Sequence, residues 1–158
     1  MKNAVCPGSF DPMTNGHLDI VERASAHFDQ VIVAVLENRA KSSLFTVEER
    51  IELIRENTKQ FPNVIVDSWY GLLADYCKEQ GVNTIVKGLR VLTDFDYELQ
   101  MAQVHLQMNV ETMFMATAPT HSFLSSSLVK ELAHFGGDVS AMVPPNVNDA
   151  LRIRLRGE

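Results

Sequence analysis

The sequence predicts an α/β fold: a doubly wound, Rossmann-like sheet of five parallel strands with helices on both faces. Short apolar runs rich in Val, Ile and Thr alternate along the chain with amphipathic segments. Runs of that length and composition are typical of buried strands, and the alternation is typical of β/α units. Right-handed crossovers between parallel strands then place helices on both faces of the sheet. We expect a single domain over residues 1–158, because neither a repeat nor a long linker interrupts the pattern.

The predicted strands are the apolar runs themselves. In chain order they are residues 3–6, 31–36, 64–66, 84–87 and 112–116. Ligands of open α/β sheets bind beyond the carboxyl ends of the strands. We therefore expect the functional residues in the loops that follow the strands.

Three of the intervening segments carry apolar residues at helical spacing, and we expect each stripe to cover the sheet. The stripes are Leu18, Val21, Ala24 and Phe28, then Val47, Ile51 and Ile54, and finally Phe95, Leu99, Ala102 and Leu106. Thr46 and Glu49 form a capping-box pattern before the second helix. Thr93, followed by two acidic residues, predicts the start of the fourth helix. Pro144–Pro145 predicts a last short helix.

Composition excludes several classes of protein. The net charge of −6 argues against broad capture of nucleic acid, which needs a clustered basic face. The longest basic cluster consists of Arg152, Arg154 and Arg156, and we expect these side chains to be solvated. The two cysteines, Cys6 and Cys77, form no C-x-x-C pair and predict neither a disulfide framework nor a zinc site. Without a long apolar segment or a secretory pattern, we expect no membrane insertion and a cytoplasmic location.

The loop after the first strand, residues 7–17, is the most informative stretch. It matches neither the dinucleotide-binding glycine pattern nor the P-loop. If Thr14 caps the helix, His17 falls at its third position, near free backbone N–H groups and the positive end of the helix dipole. An imidazole there can donate to a phosphate oxygen. The alternative is an ordinary cap with a surface histidine.

Three later segments also place phosphate-binding groups at the same edge of the sheet. Lys41 lies in a polar loop after the second strand, and Lys87 and Arg90 flank Gly88 where the fourth strand ends. Ser125–Ser127 supply hydroxyl and backbone N–H groups at a helix start, which is a ready anion site. Solvated charges and simple capping are the alternatives.

Asp94, Asp96 and Glu98 do not predict a metal site. Residues two apart on a helix do not face each other, and acidic residues are expected in a first helical turn. We expect no protein-bound metal.

Together these segments resemble the phosphopantetheine adenylyltransferase family, within the T/H-x-G-H nucleotidyltransferase superfamily. The first match is G-S-F-D-P-x-T-x-G-H at residues 8–17. The later matches are Lys41 before F-T-x-E-E-R at 45–50, K-G-L-R at 87–90, D-F-D-Y-E at 94–98 and S-F-L-S-S-S-L-V-K-E at 122–131. T-x-G-H alone would indicate only the superfamily, whereas the ordered set is specific for the family.

The resemblance implies roles for individual residues. His17, Lys41 and Lys87 would be catalytic, and Ser9, Lys41, Leu73 and Lys87 would bind the acceptor substrate. The implied ATP-binding residues are Ser9, Phe10, His17, Gly88, Leu89, Arg90, Glu98, His121, Ser122, Phe123, Leu124, Ser125, Ser126 and Ser127. Three positions depart from the pattern of relatives. Lys87 stands where arginine is frequent, His105 where asparagine is common, and His121 where some relatives carry tryptophan.

The resemblance also implies the reaction: attack of the phosphate of 4'-phosphopantetheine on the α-phosphorus of ATP, giving dephospho-coenzyme A and pyrophosphate. Mg²⁺ would arrive with ATP, coenzyme A would be a candidate feedback ligand, and a homohexamer would be expected. Two alternatives stay open. One is a related transferase acting on glycerol phosphate or nicotinamide mononucleotide, and the other is a nucleotide-binding sensor without turnover.

Overall fold

A computed structural model describes residues 1–157, apart from the side chains of Leu92 and Thr93. The strands are β1 (Asn3–Gly8), β2 (Gln30–Leu36), β3 (Val64–Trp69), β4 (Thr84–Leu89) and β5 (Glu111–Ala116). The helices are α1 (Asn15–His27), α2 (Val47–Thr58), α3 (Leu73–Gln80), α4 (Leu92–Gln107), α5 (Ser126–His134) and α6 (Pro145–Arg156), with a 3-10 turn at Pro119–His121 before α5. No helix among the described residues is long and apolar enough to cross a membrane.

All strand pairs are parallel, and the strand order is β3-β2-β1-β4-β5. The predicted fold class is therefore confirmed. The chain runs outward from β1 in one direction and then returns to place β4 on its other side. The point where the order reverses lies between β1 and β4, which is where ligands bind in folds of this kind.

Alternating residues of the strands pack into two apolar layers, one on each face of the sheet. On one face Ala4 and Cys6 of β1 pack with Ile20, Ala24 and Ile54 of α1 and α2. On the other face the neighbouring strand residue, Val5, packs with Ala74 and Cys77 of α3. Helices α5 and α6 form a third cluster around Phe45 and Val129, beside the carboxyl edge of the sheet. This cluster packs α5 and α6 against the loop that follows β2 and against α2.

The strands continue past the apolar runs that predicted them. β1 ends at Gly8 rather than residue 6, β3 at Trp69 rather than 66, and β4 at Leu89 rather than 87. Backbone hydrogen bonding to the neighbouring strand, rather than side-chain hydrophobicity, decides where a strand ends.

The helix caps predicted at Thr14 of α1 and Thr46 of α2 are confirmed. Thr14 and Thr46 each accept from the third helical residue, whose own side chain accepts from the cap backbone. Helix α6 begins at Pro145, as expected. Helix α4 begins at Leu92 with Val91 at the cap, so the prediction of Thr93 as the start is displaced by one residue.

Only part of the apolar stripe predicted on α4 covers the sheet: Phe95 and Ala102 are half-buried, and the Phe95 ring centroid lies 6.3 Å from that of Phe114 in β5. Leu99 and Leu106 are 37% and 55% exposed, whereas His105 is only 6% exposed. The buried face also carries Glu98 and His105, which are seven residues apart and so share one face of the helix. Because these polar groups occupy the inner side of α4, Leu99 and Leu106 of the apolar stripe face solvent.

The prediction that the C-terminal arginines are simply solvated is wrong for Arg154. Its guanidinium donates to the carbonyl oxygen of Leu44 at 2.6 Å and forms an ion pair with Glu49. The folded chain brings α6 beside the start of α2, a proximity that local charge spacing does not encode.

Candidate active site

A cleft of about 310 Å³ opens between the carboxyl ends of β1 and β4, at the reversal point of the sheet. Its floor is formed by the strand ends, one side by the start of α1, and the other by α4 and the start of α5. The predicted site residues that line it are Phe10, His17, Lys87, Gly88, Arg90, Glu98, His121, Leu124, Ser125 and Ser126. The structure thus gathers residues from four separate segments of sequence around one cavity.

The loop after β1 is held in a bent conformation around Phe10. Phe10 has a φ of +48°, and its ring is buried at 5% exposure. A Cβ at Gly8 would lie 3.1 Å from that ring, so the absence of a side chain at Gly8 leaves room for Phe10. The ring then meets His17 edge to face, with ring centroids 5.1 Å apart. Phe10 is therefore a packing support for the histidine.

The orientation of His17 is set by the helix cap. The Thr14 backbone N–H donates to Nδ1 of His17 at 3.0 Å, and the His17 backbone N–H donates to Oγ1 of Thr14 at 3.3 Å. A neutral imidazole whose Nδ1 accepts a hydrogen bond carries its proton on Nε2. The cap thus leaves an Nε2–H donor on a ring that lines the cleft.

His17 is neutral at physiological pH. Burial, and secondly the positive charge of Arg90, lower the pKa of His17 from 6.5 to about 4. Above that pH the ring can act as a neutral hydrogen-bond donor. An anionic ligand placed between His17 and Arg90 would be held by one neutral donor and one permanent cation.

Lys87 and Glu98 face each other across the cleft wall. Nζ of Lys87 lies 2.7 Å from Oε2 of Glu98, and both side chains are mostly buried, at 27% and 19% exposure. His105 lies behind this pair, and burial followed by the Lys87 charge lowers the pKa of its imidazole. Within the described part of the chain Nδ1 of His105 is buried without a hydrogen-bond partner. The pair places the lysine charge at the end of β4, on the lining of the cleft.

Arg90 joins three elements at the mouth of the cleft. Its Nε lies 3.2 Å from Oδ2 of Asp94 in α4, and its Nη1 donates to the carbonyl oxygen of Leu124. These contacts place the guanidinium between the start of α4 and the segment before α5, on the lining of the cleft.

The serine run begins α5, as the sequence predicted, but two of its hydroxyls already have partners. Oγ of Ser125 accepts the Leu128 N–H at 3.1 Å, and Oγ of Ser126 donates to the Pro12 carbonyl at 2.7 Å. The backbone N–H groups of the first turn are the donors that helix geometry leaves for an anion.

Comparison with known proteins agrees with this geometry. Residues 5–132 match the cytidylyltransferase-like family model. The chain is 60% identical over 157 residues to the phosphopantetheine adenylyltransferase of Streptomyces coelicolor, covering 99% of each chain. It is 58% identical over 160 residues to that of Frankia casuarinae, covering 98% of this chain and 99% of the relative. The chain belongs to the phosphopantetheine adenylyltransferase family.

Two solved structures share the fold of this family member at low sequence identity. A candidate nicotinate-nucleotide adenylyltransferase of Vibrio parahaemolyticus superposes with a TM-score of 0.69 at 19% identity, covering 97% of this chain and 93% of the other. A lipopolysaccharide core biosynthesis protein of Thermoplasma volcanium superposes with a TM-score of 0.55 at 18% identity, covering 75% and 97%. At these identities the likeness shows the fold alone.

Some site residues predicted from the family resemblance lie outside the cleft lining. They are Ser9, Lys41, Leu73, Leu89, Ser122, Phe123 and Ser127. Lys41 is exposed and lines an adjacent open groove of about 580 Å³ together with Arg39 and Arg154. Leu73 begins α3 and packs against the core cluster that contains Val5 and Ala74. The structure therefore places the predicted acceptor-binding residues Lys41 and Leu73 outside the lining of the cleft that holds His17.

Some residues that shape the site of this adenylyltransferase family member were not predicted from the sequence. Asp94 was interpreted only as a first-turn acid, yet it pairs with Arg90 and lines the cleft. Ile20 and Thr117 form part of the wall. The spacing of Arg90 and Asp94 was a signal that could have been used, whereas nothing local marks Ile20 or Thr117.

Proposed function

We propose that the chain transfers the adenylyl group of ATP to 4'-phosphopantetheine, giving dephospho-coenzyme A and pyrophosphate in coenzyme A biosynthesis. The observation that carries this proposal is the near-full-length identity of about 60% to two phosphopantetheine adenylyltransferases. The cleft supports it, because a neutral histidine donor, a lysine, an arginine and a helix start converge on one cavity. These donors and cations could bind the triphosphate of ATP and, next to it, the phosphate of the acceptor.

The reaction requires positioning and charge stabilisation from the protein. The acceptor phosphate is already an anionic nucleophile, so its oxygen attacks the α-phosphorus in line while the bond to the pyrophosphate oxygen breaks. No general base and no covalent enzyme intermediate are needed. The Nε2–H of His17 would donate to an oxygen of the reacting phosphate, where negative charge must be stabilised in the transition state.

The cations have separate roles in this proposal. Lys87 would leave Glu98 for a phosphate oxygen near the reacting phosphorus, and Lys41 would move in from the adjacent groove with the acceptor. Arg90 and the first turn of α5 would hold the departing pyrophosphate, since a guanidinium can bind two oxygens at once.

Magnesium would enter bound to the ATP phosphates. Among the described residues no group of three or more His, Cys, Asp or Glu side chains is placed to hold a metal. The two carboxylates of the cleft, Asp94 and Glu98, are each paired with a cation. This arrangement fits an ion that keeps most of its ligands as water and phosphate oxygens, and such an ion would neutralise phosphate charge during transfer.

A homohexamer is also part of the proposal, with support from the surface of α4 and β5. Val104, Leu106, Met108 and Met113 are 41–55% exposed there, and β5 is an edge strand. Exposed apolar surface of this kind marks association sites. Light scattering after size exclusion measures the mass directly, and Met113→Lys should lower it. We further expect a cytoplasmic location and inhibition by coenzyme A, which shares most of its structure with the product.

The deciding experiment is pyrophosphate release by the purified protein with ATP and magnesium. Phosphopantetheine, glycerol phosphate and nicotinamide mononucleotide are compared in parallel. Release with phosphopantetheine alone supports the proposal. Release with another acceptor keeps the reaction but changes the substrate, and ATP binding without release from any acceptor indicates a sensor.

A further inference from the structure

Asp11 lies at the junction of three elements that carry candidate site residues. Its side chain is buried, with the residue 6% exposed. Oδ2 accepts the Leu44 N–H and Oδ1 accepts the Phe45 N–H, both at 2.9 Å. Nζ of Lys130 in α5 lies 3.2 Å from Oδ2. One carboxylate therefore joins the loop after β1, the segment before α2, and α5.

Arg50 makes the reverse connection. This residue of α2 is 3% exposed. Its Nη1 donates to the Ser9 carbonyl at 2.8 Å, and its Nε donates to the Thr46 carbonyl at 3.2 Å. Asp11 thus accepts from the segment before α2, and Arg50 of α2 donates back to the loop after β1. Buried ionisable groups with several hydrogen bonds hold a fixed geometry, because losing a partner leaves an unsatisfied buried group.

The segment held in this way leads directly to Lys41. Leu44 is also bound from its other side, because Arg154 donates to its carbonyl oxygen, and the Arg154 guanidinium lies 5.2 Å from the Phe45 ring. Lys41 lies three residues before Leu44, is exposed, and its backbone N–H donates to the Asn38 carbonyl at 3.1 Å. The position of the Leu44–Phe45 backbone therefore limits where the backbone of Lys41 can lie.

We propose that Asp11 and Arg50 are positioning residues that fix the Lys41 loop relative to the His17 loop for the transfer reaction. The inference rests on the proposed function in so far as Lys41 acts in that reaction. A carboxylate is required at position 11 because two N–H groups and an ammonium group point at its two oxygens. Asparagine has one acceptor oxygen and would direct its own NH₂ donors at those groups.

The primary test compares Asp11→Asn with Asp138→Asn. Asp138 is a matched control, since it is an exposed turn carboxylate whose Oδ1 accepts the Ser140 N–H at 2.9 Å. For Asp11→Asn we expect kcat/KM for phosphopantetheine to fall about 10- to 100-fold, as misplacing a reacting group by ~1 Å does. We expect the Kd for ATP to change less than about threefold, because the Thr14 backbone N–H and the Phe10 ring orient His17, and the Ser125 and Ser126 hydroxyls hold the start of α5. Asp138→Asn should match the wild type in both.

A double-mutant cycle with Lys41→Met separates positioning from general destabilisation. If Asp11 acts through Lys41, the double variant Asp11→Asn/Lys41→Met should have a kcat less than about threefold below that of Lys41→Met alone. Effects that multiply in full would overturn the proposal, because they would show that Asp11 acts independently of Lys41.

Amide hydrogen exchange provides a readout that does not depend on turnover. Exchange at Leu44 and Phe45 should speed up about 10-fold or more in Asp11→Asn and stay unchanged in Asp138→Asn. Should Asp11→Asn fail to fold, Arg50→Lys, which keeps the charge but loses the two-nitrogen geometry, is measured in the same ways. Faster exchange in the variant, together with an inactive wild type, would reject the proposed function and still show that Asp11 holds the Leu44–Phe45 segment. An active wild type, with kinetics and exchange of the variants equal to those of Asp138→Asn, would overturn the positioning role of Asp11 and Arg50.

Discussion

The Thr14 backbone N–H donates to Nδ1 of His17 at 3.0 Å, so the cap of α1 also selects the protonation state of the candidate catalytic histidine. The same contact satisfies a backbone donor of the helix start and directs the imidazole proton to Nε2. One hydrogen bond therefore both caps α1 and sets the tautomer of His17. The predictions for His17 follow from this double role.

The first prediction concerns the tautomer itself. At pH 7 the His17 imidazole should be neutral with its proton on Nε2, because Nδ1 accepts from Thr14 and the pKa is about 4. ¹⁵N NMR of histidine-labelled protein reports the protonation of each ring nitrogen. The exposed His134 provides an internal comparison. A protonated Nδ1 at His17 would contradict the assignment.

Substitutions at His17 should separate its cap function from its catalytic function. Glutamine at the third helical position can accept from the cap N–H, whereas alanine cannot. His17→Ala should therefore lose about 1 kcal/mol of unfolding free energy, and His17→Gln less. His17→Ala should lower kcat about 100-fold or more, as expected for loss of a transition-state donor worth ~3 kcal/mol. His17→Gln should lower kcat less, because its side-chain NH₂ is still a donor. Urea unfolding and pyrophosphate release measure the two effects; near-normal turnover of folded His17→Ala would remove the histidine from the mechanism.

The pH dependence of stability follows from the lowered pKa of His17. The unfolded histidine titrates near 6.5 and the folded one near 4, so between these values the unfolded state binds more protons. The unfolding free energy should be fully retained above pH 6.5 and fall as the pH drops toward 4. Urea titrations at several pH values measure the slope, which should be smaller in His17→Gln. An equal slope in that variant would assign the effect to other groups.

The Lys87 charge should be essential, whereas the identity of the cation should not. Lys87→Met removes a charge-assisted contact to phosphate worth about 1.5–3 kcal/mol, so kcat/KM should fall about 10- to 100-fold. Lys87→Arg should retain most of the activity. Lys59→Met is the control, because Lys59 pairs with Glu56 on the surface. Melting temperatures check that Lys87→Met, which leaves the Glu98 carboxylate unpaired, is folded under assay conditions; equal losses in the arginine and methionine variants would argue against a purely ionic role.

A side chain at Gly88 should be costly, because Gly88 packs closely against Ile20 of α1 at the floor of the cleft. A Cβ there would lie 3.0 Å from Cγ1 of Ile20. Gly88→Ala should therefore lower the unfolding free energy by about 1–3 kcal/mol, the usual cost of overpacking. Adding Ile20→Ala removes the clashing atoms, so the double variant should lose less than the sum of the single variants. Full additivity in urea unfolding would show that the two positions do not clash.

The sequence by itself determined the fold class, the order of the β/α units and the segments that build the cleft. Apolar runs and capping patterns act over a few residues, and they sufficed to place Thr14, Thr46 and the start of α5. The ordered motifs determined the family, since they specify chemistry at several loops at once. Strand ends were predicted less well, because inter-strand hydrogen bonds continue beyond the apolar residues.

Only the tertiary structure decided which groups meet. Two contacts join residues whose separation along the chain carries no periodic signal: Lys87 pairs with Glu98, and Arg154 binds the carbonyl oxygen of Leu44. The burial of His105 on α4 was likewise not predicted from the sequence. The same holds for Asp11, an ordinary loop residue in the sequence that becomes the acceptor for two backbone N–H groups more than 30 residues away. Such contacts depend on how the elements cross, and local sequence patterns constrain each element without setting the positions of the elements relative to one another.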